Sequence, residues 1–217
     1  LHAMVRDAAG QKMSKTKGNV VDPLDVCEEH GADALRFTLL ALTAQGRDIK
    51  LSMQAIAGYR SFMNKLWNAS RFVLMNLEDD AQYVHPREEG ENLAVEDKWI
   101  LTRLQKVVAE TNSALEGYRF NEYASNLYQF TWHELCDWYL ELAKPSLYGD
   151  DEAAKKRTSN VLCYCLDTVL KLLHPVIPYI TEEIWQMLPS KEGETIMLAG
   201  FPVADDELTV TTEAARF

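Results

Sequence analysis

The stretch SMQAIAGYRSFMNKLWNASRFVLMNL, Ser52 to Leu77, decides what kind of fold this chain can have. Turned at about 100° per residue, it gathers Ile56, Tyr59, Phe62, Met63, Leu66, Trp67, Val73, Leu74 and Leu77 on one arc, the mark of an amphipathic helix facing a core. Ser52 stands where an N-cap belongs, with a hydroxyl able to take a free backbone N–H of the first turn. The opposite arc holds Arg60, Ser61, Asn64, Lys65, Asn68 and Arg71 and no carboxylate; from Arg47 to Leu77 the one acid is Asp48. A helix this long with one apolar side must be covered by other helices, which points to a bundle.

Working outward, the periodicity predicts further helices over about 93–116, 121–143 and 152–173. Gly117 and the stretch Lys144 to Asp150, with Pro145 and Gly149, suit the turns between them, and Pro175 and Pro178 end the third. Tyr179 to Leu188 reads as a short closing helix, Thr195 to Leu198 as a small strand, and EDDAQYVHPREEGEN (78–92) as an exposed loop. Toward the N-terminus, His2 to Val5 reads as a strand entering the small-residue turn Ala8-Ala9-Gly10. Asp22-Pro23 caps and opens a helix Pro23 to His30 that Gly31 stops; another runs from Asp33 to about Ala44, and Gly46 to Leu51 is an extended connector. The expected fold is mainly α, an antiparallel helical bundle with a short N-terminal strand, loop and helix segment and a small C-terminal strand. Its expected divisions are 1–51, 52–189 and 190–217. In the 121–143 segment, Phe120, Ala124, Leu127, Thr131, Leu135, Trp138 and Leu142 form one stripe and Tyr128, Trp132 and Tyr139 a second. Such a helix sits centrally, its aromatics packing the core in preference to stacking bases.

At 217 residues and 47% apolar content the chain can fill such a core. Its apolar runs are too short to span a bilayer and its start has no secretory pattern, so a soluble cytoplasmic chain is expected. It starts at Leu1 in what reads as mid-domain, so a fragment of a longer protein is expected too. Cys27, Cys136, Cys163 and Cys165 lack metal-ligand spacing and read as buried thiols, with no metal expected. The charge is divided unevenly: residues 1–77 hold 10 Lys+Arg against 7 Asp+Glu, net +3, and the rest 12 against 26, net −14. An anionic partner therefore has to meet the N-terminal third. On the donor-only face of the 52–77 helix, Arg60, Lys65 and Arg71 suit phosphates, and Asn64 and Asn68 suit base edges of single-stranded RNA.

The second feature with chemistry is QKMSKTKGN, Gln11 to Asn19, three lysines and two hydroxyls between Gly10 and Gly18. Such groups can neutralise a triphosphate, although the Walker spacing is absent; taken alone the segment reads as a surface turn. Lys12-Met13-Ser14-Lys15-Thr16 resembles the KMSKS signature of class I aminoacyl-tRNA synthetases, with Thr16 for the last Ser. KGNVVDPLDV, GADALRFTL and KLWNASRFVLMN follow in the order of the valyl-tRNA synthetases, and FTWHELCDWYLELAKP and HPVIPYITEEIWQ resemble their helical anticodon-binding domain. The resemblance runs from about residue 2 to 202. It implies an ATP-dependent ligase that forms valyl-adenylate and charges tRNA, with Mg in the full-length enzyme. By that analogy Lys12, Ser14 and Lys15 are catalytic, and Lys12, Met13, Ser14, Lys15 and Thr16 contact ATP. The family's His-x-Gly-His sequence is absent, since His2, His30, His85, His133 and His174 are isolated. This segment is therefore expected to be a monomer that binds tRNA and catalyses nothing alone. An isoleucyl- or leucyl-tRNA synthetase fragment is the alternative within the class, and an acidic helical protein-binding adaptor the alternative outside it.

Overall fold

The structure, a computed structural model, describes residues 4–44, 47–77, 83–189, 191 and 193–209. Strand β1 (Val5–Arg6) pairs in parallel with β2 (Ile49–Lys50), and helices α1 (Pro23–His30) and α2 (Ala32–Ala41) make the crossover between them. The Asp22 carboxylate accepts the Leu24 N–H at 2.8 Å, and Pro23 opens α1, as the Asp-Pro pair predicts. Val26, Ala34, Leu35, Leu51 and Ile56 form a small core under this segment, with Met13 of the lysine loop packed against it. The ends of the predicted strand and connector, residues 1–3 and 45–46, lie outside the described residues.

Helix α3 (Met53–Met75) starts where Ser52 Oγ accepts the Ala55 N–H at 3.1 Å. Its first turn gives Ile56 to the small core; Phe62, Met63, Leu66, Ala69 and Val73 enter the main one, and Tyr59, Trp67, Leu74 and Leu77 pack at its edge. The predicted apolar arc is the buried one. Beyond it come α4 (Pro86–Glu89), α5 (Val95–Glu116), α6 (Phe120–Gln129), α7 (Leu140–Leu147), α8 (Glu152–Leu173) and α9 (Pro178–Gln186), α6 and α7 being joined by the π-wound stretch Phe130–Tyr139. Contacts set the directions. Asp97 meets Tyr139 and Arg103 meets Glu134, so α5 runs antiparallel to the next helix; Gln105 meets Tyr164, with Asp97 near Arg157, so α8 returns alongside α5.

The π-wound stretch moves two predicted core residues outside. At its end the Leu140 N–H bonds to the Leu135 carbonyl, five residues back, and each wider turn delays the inward position. The stripe Thr131, Leu135, Trp138, Leu142 expected at α-helical spacing is replaced by Thr131, Leu135, Tyr139, Ala143. Trp138 and Leu142 are consequently exposed, at 63% and 43%, while Tyr139 is fully buried.

Three other expectations change. Residues 83–92 are not simply exposed: Pro86 is buried opening α4, Tyr83 packs on the core and His85 meets the Tyr164 ring edge-on, anchoring the segment on α8. The part of that loop at 78–82 lies outside the described residues. Pro145 does not end its helix: it lies inside α7 and gives up one backbone bond to the preceding turn, yet Tyr148 N–H bonds past it to Lys144 and the buried Leu147 packs the last turn on the core. The predicted strand at Thr195–Leu198 is a single 3₁₀ turn (Ile196–Leu198). Thr195 caps it by accepting the Met197 N–H and donates to Glu182, Ile196 alone of the three is buried, and no strand among the described residues lies beside it. The following chain lies along α5, where Asn112 donates to the Pro202 carbonyl and Asp205 N–H to Gln105. No helix among the described residues is long and apolar enough to cross a membrane.

Candidate functional site

The lysine loop is held at its base and open at its tip. Asp7 accepts the Gln11 N–H at 2.7 Å and the Asn19 amide at 2.8 Å, and Asn19 in turn accepts the Ser14 N–H at 2.9 Å and donates to the Lys12 carbonyl at 3.3 Å. These bonds draw Asp7 below the usual carboxylate range, the Asn19 contact being the largest cause. Lys15–Lys17 form a 3₁₀ turn capped by Ser14 Oγ, which lies 3.3 Å from the Thr16 hydroxyl, and Gly18 closes it at φ 65°, a left-handed value that suits glycine. Met13 is half-buried against the small core, while Lys12, Lys15, Thr16 and Lys17 are exposed. Among the described residues no carboxylate lies within ion-pair distance of Lys12, Lys15 or Lys17. The signature residues thus run from Lys12, bridged to Arg6 at the loop base, into the Ser14-capped turn Lys15–Lys17, whose lysines have no carboxylate partner among the described residues.

The α3 face comes together as a surface, but its cations are not equally free. Asn64, Asn68 and Arg71 are exposed. Arg60 donates to the Glu29 carbonyl at 2.9 Å, tying α3 to the end of α1. Lys65 is bound to Asp137 of the π-wound stretch and lies 4.2 Å from the centroid of the Trp132 ring. Asp137 also contacts His133 Nδ1 at 3.0 Å, and the Lys65 ammonium is the first cause of its lowered pKa. The face therefore carries a carboxylate contributed by another helix, which the α3 sequence alone could not reveal. Phe37, Tyr59, Phe62, Tyr128 and Trp132 form one aromatic cluster beneath it, so these rings pack the bundle as expected.

Sequence reasoning gave no part to Asp7, Asn19 or Asp137. The first two had a signal, an acid just before the Ala-Ala-Gly turn and an Asn just after Gly18, both places where side chains bond local backbone. Asp137 had none, because only the π winding brings it to Lys65. The described residues hold no group of His, Cys, Asp and Glu suited to a metal ion.

The Anticodon-binding domain of tRNA ligase family matches residues 97–217, and the family tRNA synthetases class I (I, L, M and V) matches residues 1–52. The chain is 58% identical over 207 residues to a valine–tRNA ligase of Syntrophotalea carbinolica, covering 95% of this chain and 23% of that protein. It is 49% identical over 216 residues to the valine–tRNA ligase of Bacillus cereus, covering all of this chain and 24% of that one. It thus spans about a quarter of these curated relatives. Among solved structures, it is similar to the LeuRS of Agrobacterium radiobacter K84, a ternary complex with tRNA and LeuAMS, at a TM-score of 0.76 and 27% identity over 96% of this chain and 24% of that one.

Proposed function

The chain belongs to the tRNA ligases that carry this anticodon-binding domain, and from that premise we propose that it is the part of a valine–tRNA ligase that joins the ATP-stabilising loop to the anticodon-binding bundle. The observation that carries the reading is the lysine loop, pinned at its base by Asp7 and Asn19 while the Lys12 and Lys15 side chains stay exposed, with no carboxylate partner among the described residues. That donor set fits a triphosphate. ATP, with its Mg, activates the valine carboxylate as the adenylate in the full-length enzyme. As the adenylate forms, Lys15 stabilises the charge that develops on the departing pyrophosphate, Lys12 and Ser14 support it, and Met13 and Thr16 complete the ATP contacts. Arg60, Asn64, Lys65, Asn68 and Arg71 contact the tRNA. Residues 1–51 are the end of the catalytic domain, and the whole ligase works as a cytoplasmic monomer. Relatives near 50% identity that are valine–tRNA ligases, against 27% to a LeuRS, support valine over leucine.

The test is titration of the chain with valine tRNA, the same tRNA carrying another anticodon, and a non-cognate tRNA, each at two salt concentrations. Preference for the intact valine anticodon, weakening with salt, is expected. Absence of binding at low salt refutes the anticodon-binding role. The chain alone is expected to give no valine-dependent ATP–pyrophosphate exchange, and measurable exchange would overturn the division of labour drawn here.

A further inference from the structure

On the α3 face the Lys65 ammonium is engaged from two sides, by the Asp137 carboxylate and by the face of the Trp132 ring. Both partners come from the π-wound stretch. Trp132 and Asp137 are five residues apart; in an α-helix that spacing turns them about 140° away from each other, whereas in a π-helix residues i and i+5 stack one turn apart. The winding therefore builds the clamp on Lys65, and α-helical winding would break it. Resting on the reading of this face as an RNA contact, we propose that Asp137 is a specificity-determining residue. It neutralises Lys65 in the free protein, so that only an RNA seated by its other contacts displaces it and recruits the lysine.

The chemistry follows from charge. An uncommitted lysine on an exposed face attracts any polyanion, and its contribution does not depend on sequence. A carboxylate bound to it cancels that attraction at a distance and leaves discrimination to Asn64, Asn68 and Arg71, which have no carboxylate partner among the described residues. An intramolecular partner that wrong ligands must displace sharpens selection even while lowering overall affinity. His133, at the other carboxylate oxygen of Asp137, leaves the carboxylate a second partner when the lysine departs.

The experiment compares the wild-type chain with Asp137→Asn, Lys65→Met and the double variant, titrating each with valine tRNA and a non-cognate tRNA across a salt series; thermal melts verify that each is folded. Asp137→Asn is expected to tighten non-cognate binding about fivefold, what one unit charge some 4 Å away is worth in water, and cognate binding less. Its log-affinity against log-salt slope should steepen by about 0.7, one added phosphate contact to single-stranded RNA. Both effects should vanish in the Lys65→Met background. If the gain persists there, Asp137 acts by repulsion alone and the clamp is refuted; an unchanged slope or an undiminished cognate preference in Asp137→Asn also refutes it. If wild type binds no tRNA at all, the RNA-contact reading falls and takes this proposal with it, a result separable from the others because all four proteins then fail together.

Discussion

Tyr139→Phe tests the joint on which the π-wound stretch closes. The Tyr139 hydroxyl donates to Asp97 Oδ1 at 2.5 Å, and both residues are buried, at 0% and 1% exposure. Removing the hydroxyl deletes a hydrogen bond to a buried carboxylate, worth about 2 kcal/mol at neutral pH, against about 1 kcal/mol for a bond between neutral partners. Burial is the main cause that lifts Asp97 above its ordinary 3.8, and the Tyr139 bond opposes it. The sign follows. A raised folded pKa favours the protonated acid, so Asp97 costs stability as pH rises through the interval above 3.8, and the tyrosine limits that cost. In the variant the pKa rises further, so its deficit should be about 2 kcal/mol at pH 7.5 and shrink toward about 1 kcal/mol at pH 4.5. Urea unfolding at the two pH values measures this, and the melting point at pH 7.5 should fall by about 5 °C. A deficit below about 0.5 kcal/mol, or one that grows on acidification, refutes the reasoning. Because the same residue ends the turn that carries Asp137, the variant should also loosen the clamp on Lys65, read as increased binding of non-cognate tRNA.

In the intact ligase, Lys15→Ala should lower the adenylation rate on the order of 10²-fold with little change in valine affinity, since its charge acts on the leaving group in the transition state; pyrophosphate exchange against valine concentration separates the two. Asn19→Ala removes the link between Asp7, Ser14 and the Lys12 carbonyl and should cost about fivefold in the same assay, what about 1 kcal/mol of lost positioning amounts to, with Asp7→Asn milder because it keeps an acceptor. Burial pushes the Cys136 thiol up to about 12, so it should resist a disulfide reagent at pH 8 in the folded chain and react once the chain is unfolded; fast reaction in the native state would contradict the packing.

What was legible in the sequence was whatever local chemistry decides. Asp22-Pro23 and Ser52 mark their helix starts because a cap needs only a side-chain acceptor and two or three free N–H groups next to it. The apolar arc of α3 was readable because the helix keeps α-helical winding from Met53 to Met75. The residues facing inward from 130 onward were not, since the stretch from Phe130 to Tyr139 is π-wound and a pattern read at 3.6 residues per turn assigns Trp138 to the wrong side. Thr195 to Leu198 has the composition of a strand, but a strand also needs a neighbour's edge, and composition cannot supply one. For the site, the signature turn was visible residue by residue, while the Asp137 partner of Lys65, 72 residues away in the chain, was not.

The two candidate sites are parts of one frame. Met13 of the lysine loop packs on the core that receives Ile56, the first inward residue of α3, and Arg60 one turn later bonds the carbonyl of Glu29 at the end of α1. From there α3 runs without interruption to Met75, its middle carrying the exposed donors Asn64, Asn68 and Arg71 and its apolar side the main bundle. A regular helix rises 1.5 Å per residue, so the 11 residues from Arg60 to Arg71 fix a separation of about 16 Å that packing on one side and the Glu29 tie at the start hold steady. Loop and bundle cannot then shift independently without breaking either the small core or the Arg60 bond. On the proposed reading, in which the loop serves chemistry at one end of a tRNA and the bundle holds the other, the segment between the two is a single helix rather than a linker.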